Sequence, residues 1–122
     1  MASTTKSPTG TVAIQRKQLL KAVTGLRNLT SVDVREIAFT PGQQTGRHFH
    51  PCPVVGYIAS GTAFIQIEGE AAETLAAGSA FYEPAETVIA RFDNASGVEP
   101  MTFVAFYLLD GEQELIKILD TK

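Results

Sequence analysis

The chain has 122 residues, of which 44% are hydrophobic and 19% charged, and its net charge is −3. This balance is typical of one soluble globular domain and excludes global disorder. Without a basic block, neither nucleic acid nor an anionic membrane surface is an expected partner. The single cysteine, Cys52, excludes an internal disulfide. The absence of a secretion signal and of a membrane-length apolar run predicts a cytoplasmic protein.

The first thirty residues predict a tail followed by short elements. Residues 1–10 have the composition of a flexible tail, and the folded domain is predicted to cover residues 11–122. Thr11 to Gln15 predicts a short strand, and Gln18 to Val23 predicts one or two turns of helix.

The segment from Ser31 to Thr40 is strand-like, but its apolar residues change parity near the middle. Val32 and Val34 have one parity, and Ile37 and Phe39 have the other. Such a switch predicts a β-bulge near Arg35 and Glu36, where the strand would bend around a barrel.

Short apolar strands separated by turn residues make up most of the remaining chain. The strands predicted after residue 61 are Thr62 to Glu68, Ser79 to Tyr82, Thr87 to Phe92 and Met101 to Leu109. Gln113 to Leu119 alternates weakly and predicts either an edge strand or a helical turn. Many short strands with this punctuation are typical of an all-β sandwich or barrel.

Two histidines one residue apart are the most informative feature of the sequence. Residues i and i+2 of an extended strand face the same side, so His48 and His50 are predicted to project into one space. Two neutral imidazoles there could hold a transition metal or a polar ligand, or pack as a hydrogen-bonded pair. Tyr57 and Tyr82, on flanking strands, could donate a hydrogen bond to a ligand or pack with a solvated hydroxyl.

The spacing of Gly42, His48-Phe49-His50 and Gly61 resembles the first motif of the cupin superfamily. The segment from Gly78 to Asn94, with Pro84 in its expected place, resembles the second motif. The resemblance covers residues 11–110 and implies a single-domain, jelly-roll-like β-barrel. Such domains often pair as homodimers through their outer strands.

Metal-binding cupins typically use the two first-motif histidines, a glutamate and a second-motif histidine. The resemblance places the glutamate position on Val54 and the last histidine position on Ile89, while Glu86 stands where the family usually has glycine. No carboxylate near the histidine pair is evident. We therefore expect His48 and His50 to hold one divalent transition metal (Zn, Fe, Mn or Ni) only weakly, or none.

Arg91 and Cys52 are two further candidates for the site. Arg91 has the parity of Ile89 and is therefore predicted to point inward, giving a pocket suited to a carboxylate or phosphate. Its alternative place is the barrel mouth, paired with Glu83, Glu36 or solvent. Cys52 has the parity of the histidines and could be a metal ligand, or a small buried apolar residue.

Three functions fit this sequence. The first is a barrel that binds a small molecule in a pocket lined by His48 and His50, with a degraded metal site. The second is a metal-dependent dioxygenase, isomerase or decarboxylase that acts on a small carboxylate or phenol with a two-histidine site. The third is a dimerisation module with a vestigial pocket. Fold alone does not choose between them.

Overall fold

The computed structural model describes residues 13–119, and these form nine β-strands and no helix. The predicted tail lies outside the described residues, as do the first two residues of the predicted strand from Thr11 to Gln15. The strand prediction for residues 13–15 is wrong, and so is the predicted helix from Gln18 to Val23. Residues 13–29 form neither strand nor helix. Within the described part of the chain, no helix has the length and apolarity needed to cross a membrane.

The strands follow one another with short connections. They are β1 (Ser31–Phe39), β2 (His48–Phe49), β3 (Val54–Ser60), β4 (Thr62–Ile67), β5 (Glu73–Ala76), β6 (Ala80–Glu83), β7 (Ile89–Asn94), β8 (Met101–Leu109) and β9 (Lys117–Ile118).

The strands form two antiparallel sheets, with strand orders β1-β8-β3-β6 and β5-β4-β7-β2-β9. On the longer strands, alternate residues turn inward and share one hydrophobic core. Its largest buried members include Ile58, Phe81, Ile89, Phe92, Met101 and Phe103. The predicted all-β barrel is therefore confirmed, and residues 117–118 add the edge strand that the alternation near the C-terminus allowed.

Strand β1 does not contain the predicted bulge. Its register with β8 is unbroken from Ser31 opposite Leu109 to Phe39 opposite Met101. The parity change has another cause, since Val32 and Val34 lie on the outer face, where they are 47% and 54% exposed. The polar residues Ser31, Asp33 and Arg35, which alternate with them, share the inner parity of the strand.

A register shift does occur in β7. Gln66 pairs with Arg91, whereas the next residue, Ile67, pairs with Ile89, which leaves Ala90 as an extra residue. An extra residue in one strand reverses the side-chain direction that simple alternation would give beyond it. Ile89 and Arg91 therefore do not share a face, although they are two residues apart.

Candidate metal centre

Three buried polar side chains from two sheets meet inside the barrel. His48 lies on β2, His50 follows that strand, and Glu83 ends β6; one potential ligand atom from each lies within 4.8 Å of the others. Their exposed fractions are only 2%, 5% and 2%. The two imidazole centroids are 5.1 Å apart, so the rings lie side by side as the i, i+2 spacing predicts.

Backbone carbonyls hold both imidazole rings in one orientation. Nδ1 of His48 donates a hydrogen bond to the Gly46 carbonyl at 2.7 Å, and Nδ1 of His50 donates to the Leu115 carbonyl at 2.7 Å. A carbonyl oxygen only accepts, so each ring must carry a proton on Nδ1. When the ring is neutral, Nε2 is left with the lone pair that a metal needs.

Glu83 faces the second of these rings. Its Oε1 lies 2.8 Å from Nε2 of His50. Because Nδ1 of His50 already donates elsewhere, a hydrogen bond here requires a proton held between the imidazole and the carboxylate. Burial alone would lower the pKa of His50, but the hydrogen bond and charge of Glu83, with the Leu115 carbonyl, outweigh it and raise that pKa. A metal would have to displace this proton.

The environment of His48 has the opposite effect. Burial, which disfavours the charged ring, lowers the pKa of His48 despite the Gly46 carbonyl and the negative charge of Glu83. At neutral pH the ring is therefore neutral and able to donate an electron pair.

The other oxygen of Glu83 is orphaned. Among the described residues, Glu83 Oε2 is the buried side-chain nitrogen or oxygen that has no hydrogen-bond partner. Leaving such an atom unpaired costs about 1–3 kcal/mol. A divalent cation would satisfy it. Two imidazole nitrogens and one carboxylate oxygen are a donor set that suits Zn, Fe, Mn or Ni, so the residues present fit a metal.

A cavity of about 210 Å³ adjoins the three side chains. Most of its remaining lining is apolar. These residues are Ile37, Phe39, Val54, Phe81, Phe92, Phe103, Ala105 and Ile116. Thr45 and Tyr107 add two hydroxyl-bearing side chains, and the Tyr107 ring lies 5.8 Å from the His50 ring, centroid to centroid.

A known protein family matches more than half of the chain. The family model described as a cupin domain matches residues 35–107. The chain belongs to the cupin family. No curated protein matches it.

Solved cupin structures share the fold. A cupin-like protein from Thermotoga maritima has a TM-score of 0.62 and 23% identity over 72% of this chain and 64% of its own length. A conserved protein with a double-stranded β-helix domain from Klebsiella pneumoniae has a TM-score of 0.61 and 22% identity, over 74% of this chain and 76% of its own. A DMSP lyase, DddQ, from Ruegeria pomeroyi has a TM-score of 0.62 and 19% identity, over 72% of this chain and 43% of its own. At these identities the likeness shows the fold alone, and the chain spans less than half of the lyase.

Both aliphatic replacements of cupin ligands lie beside the site. Val54 lines the cavity, and Ile89, fully buried, lies opposite His48 in the β2–β7 pair. The expectation that no carboxylate lies near the histidines is wrong, however. Val54 and Glu83 are directly opposite each other in the β3–β6 pair, so both side chains occupy the same inner layer.

Sequence reasoning placed Glu83 only at the barrel mouth, as a partner for Arg91. One signal could have found its true place. In the segment Ala80-Phe81-Tyr82-Glu83, the glutamate has the parity of the phenylalanine, and both are buried, at 2% and 7% exposed. An acidic residue on the apolar face of a strand is a candidate functional residue.

Arg91 lies outside the cavity, contrary to its predicted inward direction. Its side chain is 48% exposed, and its Nη2 pairs with Asp93 Oδ2 at 2.8 Å. The guanidinium also lies over the Phe64 ring, 5.1 Å from the centroid. The extra residue at Ala90 is the reason, because it breaks the alternation on which the prediction depended. Arg91 therefore does not contribute to the predicted pocket for a carboxylate or phosphate.

The other candidate site residues also lie outside the cluster of His48, His50 and Glu83. Tyr57 is 40% exposed, and Tyr82 lies between two inward-facing residues of β6 and faces the opposite side; neither lines the cavity, whereas the unpredicted Tyr107 does. Cys52 is fully buried in the hydrophobic core and is not among the three clustered side chains. Burial raises the pKa of its thiol, which fits a small apolar residue rather than a metal-binding thiolate.

Proposed function

We propose that this cupin binds one divalent transition metal through His48, His50 and Glu83, and that the metal binds and activates a small molecule in the adjoining cavity. The observation that carries the proposal is the buried Glu83 Oε2, which lacks a partner beside two imidazoles already oriented by carbonyls. The proposal replaces the two-histidine site expected from the sequence with a site of three ligands.

The free-energy cost of burying His48, His50 and Glu83 favours a metal-binding role over a purely structural one. Three buried titratable groups with an incomplete hydrogen-bond network are more costly than apolar residues of similar size. A structural role would be served as well by aliphatic side chains, which already stand at positions 54 and 89. The presence of two histidines and a carboxylate in the core therefore supports a ligand-binding role.

The protein residues would each make a separate contribution to chemistry at this centre. Three protein ligands leave coordination positions open, and a bound cation would polarise an oxygen atom of the ligand as a Lewis acid. The carbonyls of Gly46 and Leu115 fix the rings, so little reorganisation is needed on binding. The apolar lining limits water around the site, which strengthens electrostatic interactions within it.

Metal analysis tests the proposal. Protein purified without a histidine tag, loaded with Zn, Fe(II), Mn or Ni and dialysed, should retain about one metal ion per chain. Glu83→Gln and the His48→Ala, His50→Ala double variant should lose it. Glu36→Gln, the same chemical change at an exposed position on β1, is the matched control and should behave like the wild type.

The proposal is wrong if the wild type retains none of these metals and none of them raises its melting temperature. Small-molecule binding that persists in the metal-free protein would then favour the simple binding barrel. Binding of none would favour the structural interpretation.

A further inference from the structure

We infer that the ligand is a monocyclic or similarly small molecule with one oxygen-bearing head group and an apolar, uncharged body. This inference rests on the proposed metal centre, which would take the head group. The body would lie among the phenylalanine side chains of the cavity.

The polar and apolar parts of the cavity are segregated. Phe39, Phe81, Phe92 and Phe103 form one ring cluster, with centroid distances from 4.7 to 6.2 Å. The ring contacts of His50 are instead with His48 and Tyr107. Within residues 13–119, no ring contact joins the two clusters. A ligand that fills the cavity would therefore meet polar groups at one end and aromatic faces elsewhere.

The charges that line the cavity decide whether it can receive a second negative group. Among the described residues, those that line it include neither lysine nor arginine. Arg35 has the inner parity of β1, opposite Ala105, but it is half exposed and bonded to Asp33 by two contacts of 2.9 and 3.1 Å. A carboxylate or phosphate on the ligand body would be desolvated without a counter-charge, which is costly.

Few hydroxyl partners are present either. The Thr45 hydroxyl donates to the Phe92 carbonyl at 2.8 Å and can only accept from a ligand, so Tyr107 is the remaining hydroxyl donor of the described lining. A sugar would bury several hydroxyl groups without partners, so the lining disfavours polyols.

The cavity size sets the scale of the ligand. Its volume is about 210 Å³. Pockets for drug-sized ligands hold about 300–1,000 Å³, so this cavity suits a smaller compound. Small aromatic or branched monocarboxylates and phenols satisfy the size, polarity and charge limits together.

Three hydroxamates with one head group test the inference by calorimetry on the metal-loaded protein. Benzohydroxamate should bind about tenfold or more tightly than acetohydroxamate, because only the former has a ring to bury. 4-Carboxybenzohydroxamate, which adds a charge to the ring, should bind more weakly than benzohydroxamate. Metal content measured after each titration checks that the metal stays bound.

A variant pair locates the effect in the cavity. Ile37 lines it and is only partly buried, so Ile37→Lys should reverse the preference towards 4-carboxybenzohydroxamate. Val98→Lys makes the same change from an apolar to a charged side chain in an exposed loop outside the cavity lining, and it should leave all three affinities unchanged.

Three other outcomes would each contradict the inference. Equal affinities for benzohydroxamate and acetohydroxamate would overturn the inference and leave the metal centre intact. Wild-type protein that binds the carboxylated ring as tightly as the plain ring would overturn the uncharged body. Protein that holds no metal would overturn the proposed function and this inference with it.

Discussion

Val54 and Glu83 lie directly opposite each other on neighbouring antiparallel strands, and the carboxylate is on β6 rather than on β3. Opposite residues in such a pair share a face, with Cβ atoms only about 5 Å apart. The glutamate that the family resemblance leads one to expect at position 54 is therefore supplied from across the strand pair.

This relationship predicts that the two side chains can be exchanged. Glu83→Gln should weaken metal binding by about tenfold or more, since one charged ligand is lost. The double variant Val54→Glu, Glu83→Val keeps the same side chains in the layer and should recover most of the affinity. Calorimetric titration with Zn measures both. A double variant as weak as Glu83→Gln would show that position 54 cannot direct a carboxylate to the histidines.

In the absence of metal, Glu83→Gln should stabilise the protein. The glutamine amide can donate to Nε2 of neutral His50, which removes the buried charge and the need for a shared proton. We expect a gain of about 1 kcal/mol, or about 4 °C in melting temperature. Thermal melts in the presence of a chelator measure it, with Glu36→Gln as control. A lower melting temperature for Glu83→Gln would contradict the cost assigned to the buried charge.

Glu86 has a positive φ of 59°, in the left-handed region that glycine adopts without strain. The family usually has glycine at this position. Glu86→Gly should therefore stabilise the protein by about 0.5–1 kcal/mol. Glu36→Gly, in the regular strand β1, should destabilise it by a similar amount. Chemical denaturation of the two variants compares them, and destabilisation at both positions would show that Glu86 makes an unrecognised contribution.

Cys52 should be unreactive in the folded protein. Its side chain is fully buried, and burial raises the pKa of the thiol, so little thiolate is present or reachable. Ellman's reagent at pH 8 should react less than about one-tenth as fast as in denaturant, with or without added metal. Denatured protein supplies the endpoint of one thiol per chain. Rapid reaction of the native protein, slowed by metal, would revive Cys52 as a ligand.

The homodimer implied by the family resemblance stays a prediction, and the outer face of the four-stranded sheet is the surface for it. Val34 and Phe106 lie opposite each other there, 54% and 37% exposed, beside Val32 and Tyr57. An apolar strip of this kind suits a two-fold contact. Val34→Glu should convert a dimer to a monomer in light scattering, whereas Val98→Glu, in an exposed loop, should not. A monomeric wild type at high concentration would contradict the prediction.

Most of the strands, the barrel and the proximity of His48 to His50 could be predicted from the sequence, because period-two alternation and turn residues are local signals. Strand β5, Glu73–Ala76, was not predicted. The predicted helix from Gln18 to Val23 does not form. The segment has too few apolar residues for their spacing to distinguish a helix from an extended chain. In the structure it lies against the outer side of the barrel, near Val55 and Leu108.

The inward direction of Glu83 follows from local alternation with Phe81, but its place beside Val54, like the direction of Arg91, depended on information that the sequence does not carry locally. The Val54–Glu83 relationship is a matter of register between strands nearly thirty residues apart, and the direction of Arg91 depends on one extra residue, Ala90. Alternation extrapolated across a bulge gives the wrong face.

Residues 115–118, which include β9, contact the candidate metal centre and its cavity. Leu115 orients the His50 ring, Ile116 lines the cavity, and Ile118 pairs with His48. These contacts couple residues 115–118 to the two histidines, so local opening of this segment would weaken the proposed metal site as well as the fold. An affinity handle fused at that end risks an apparently inert protein, and one placed before residue 13 avoids the difficulty.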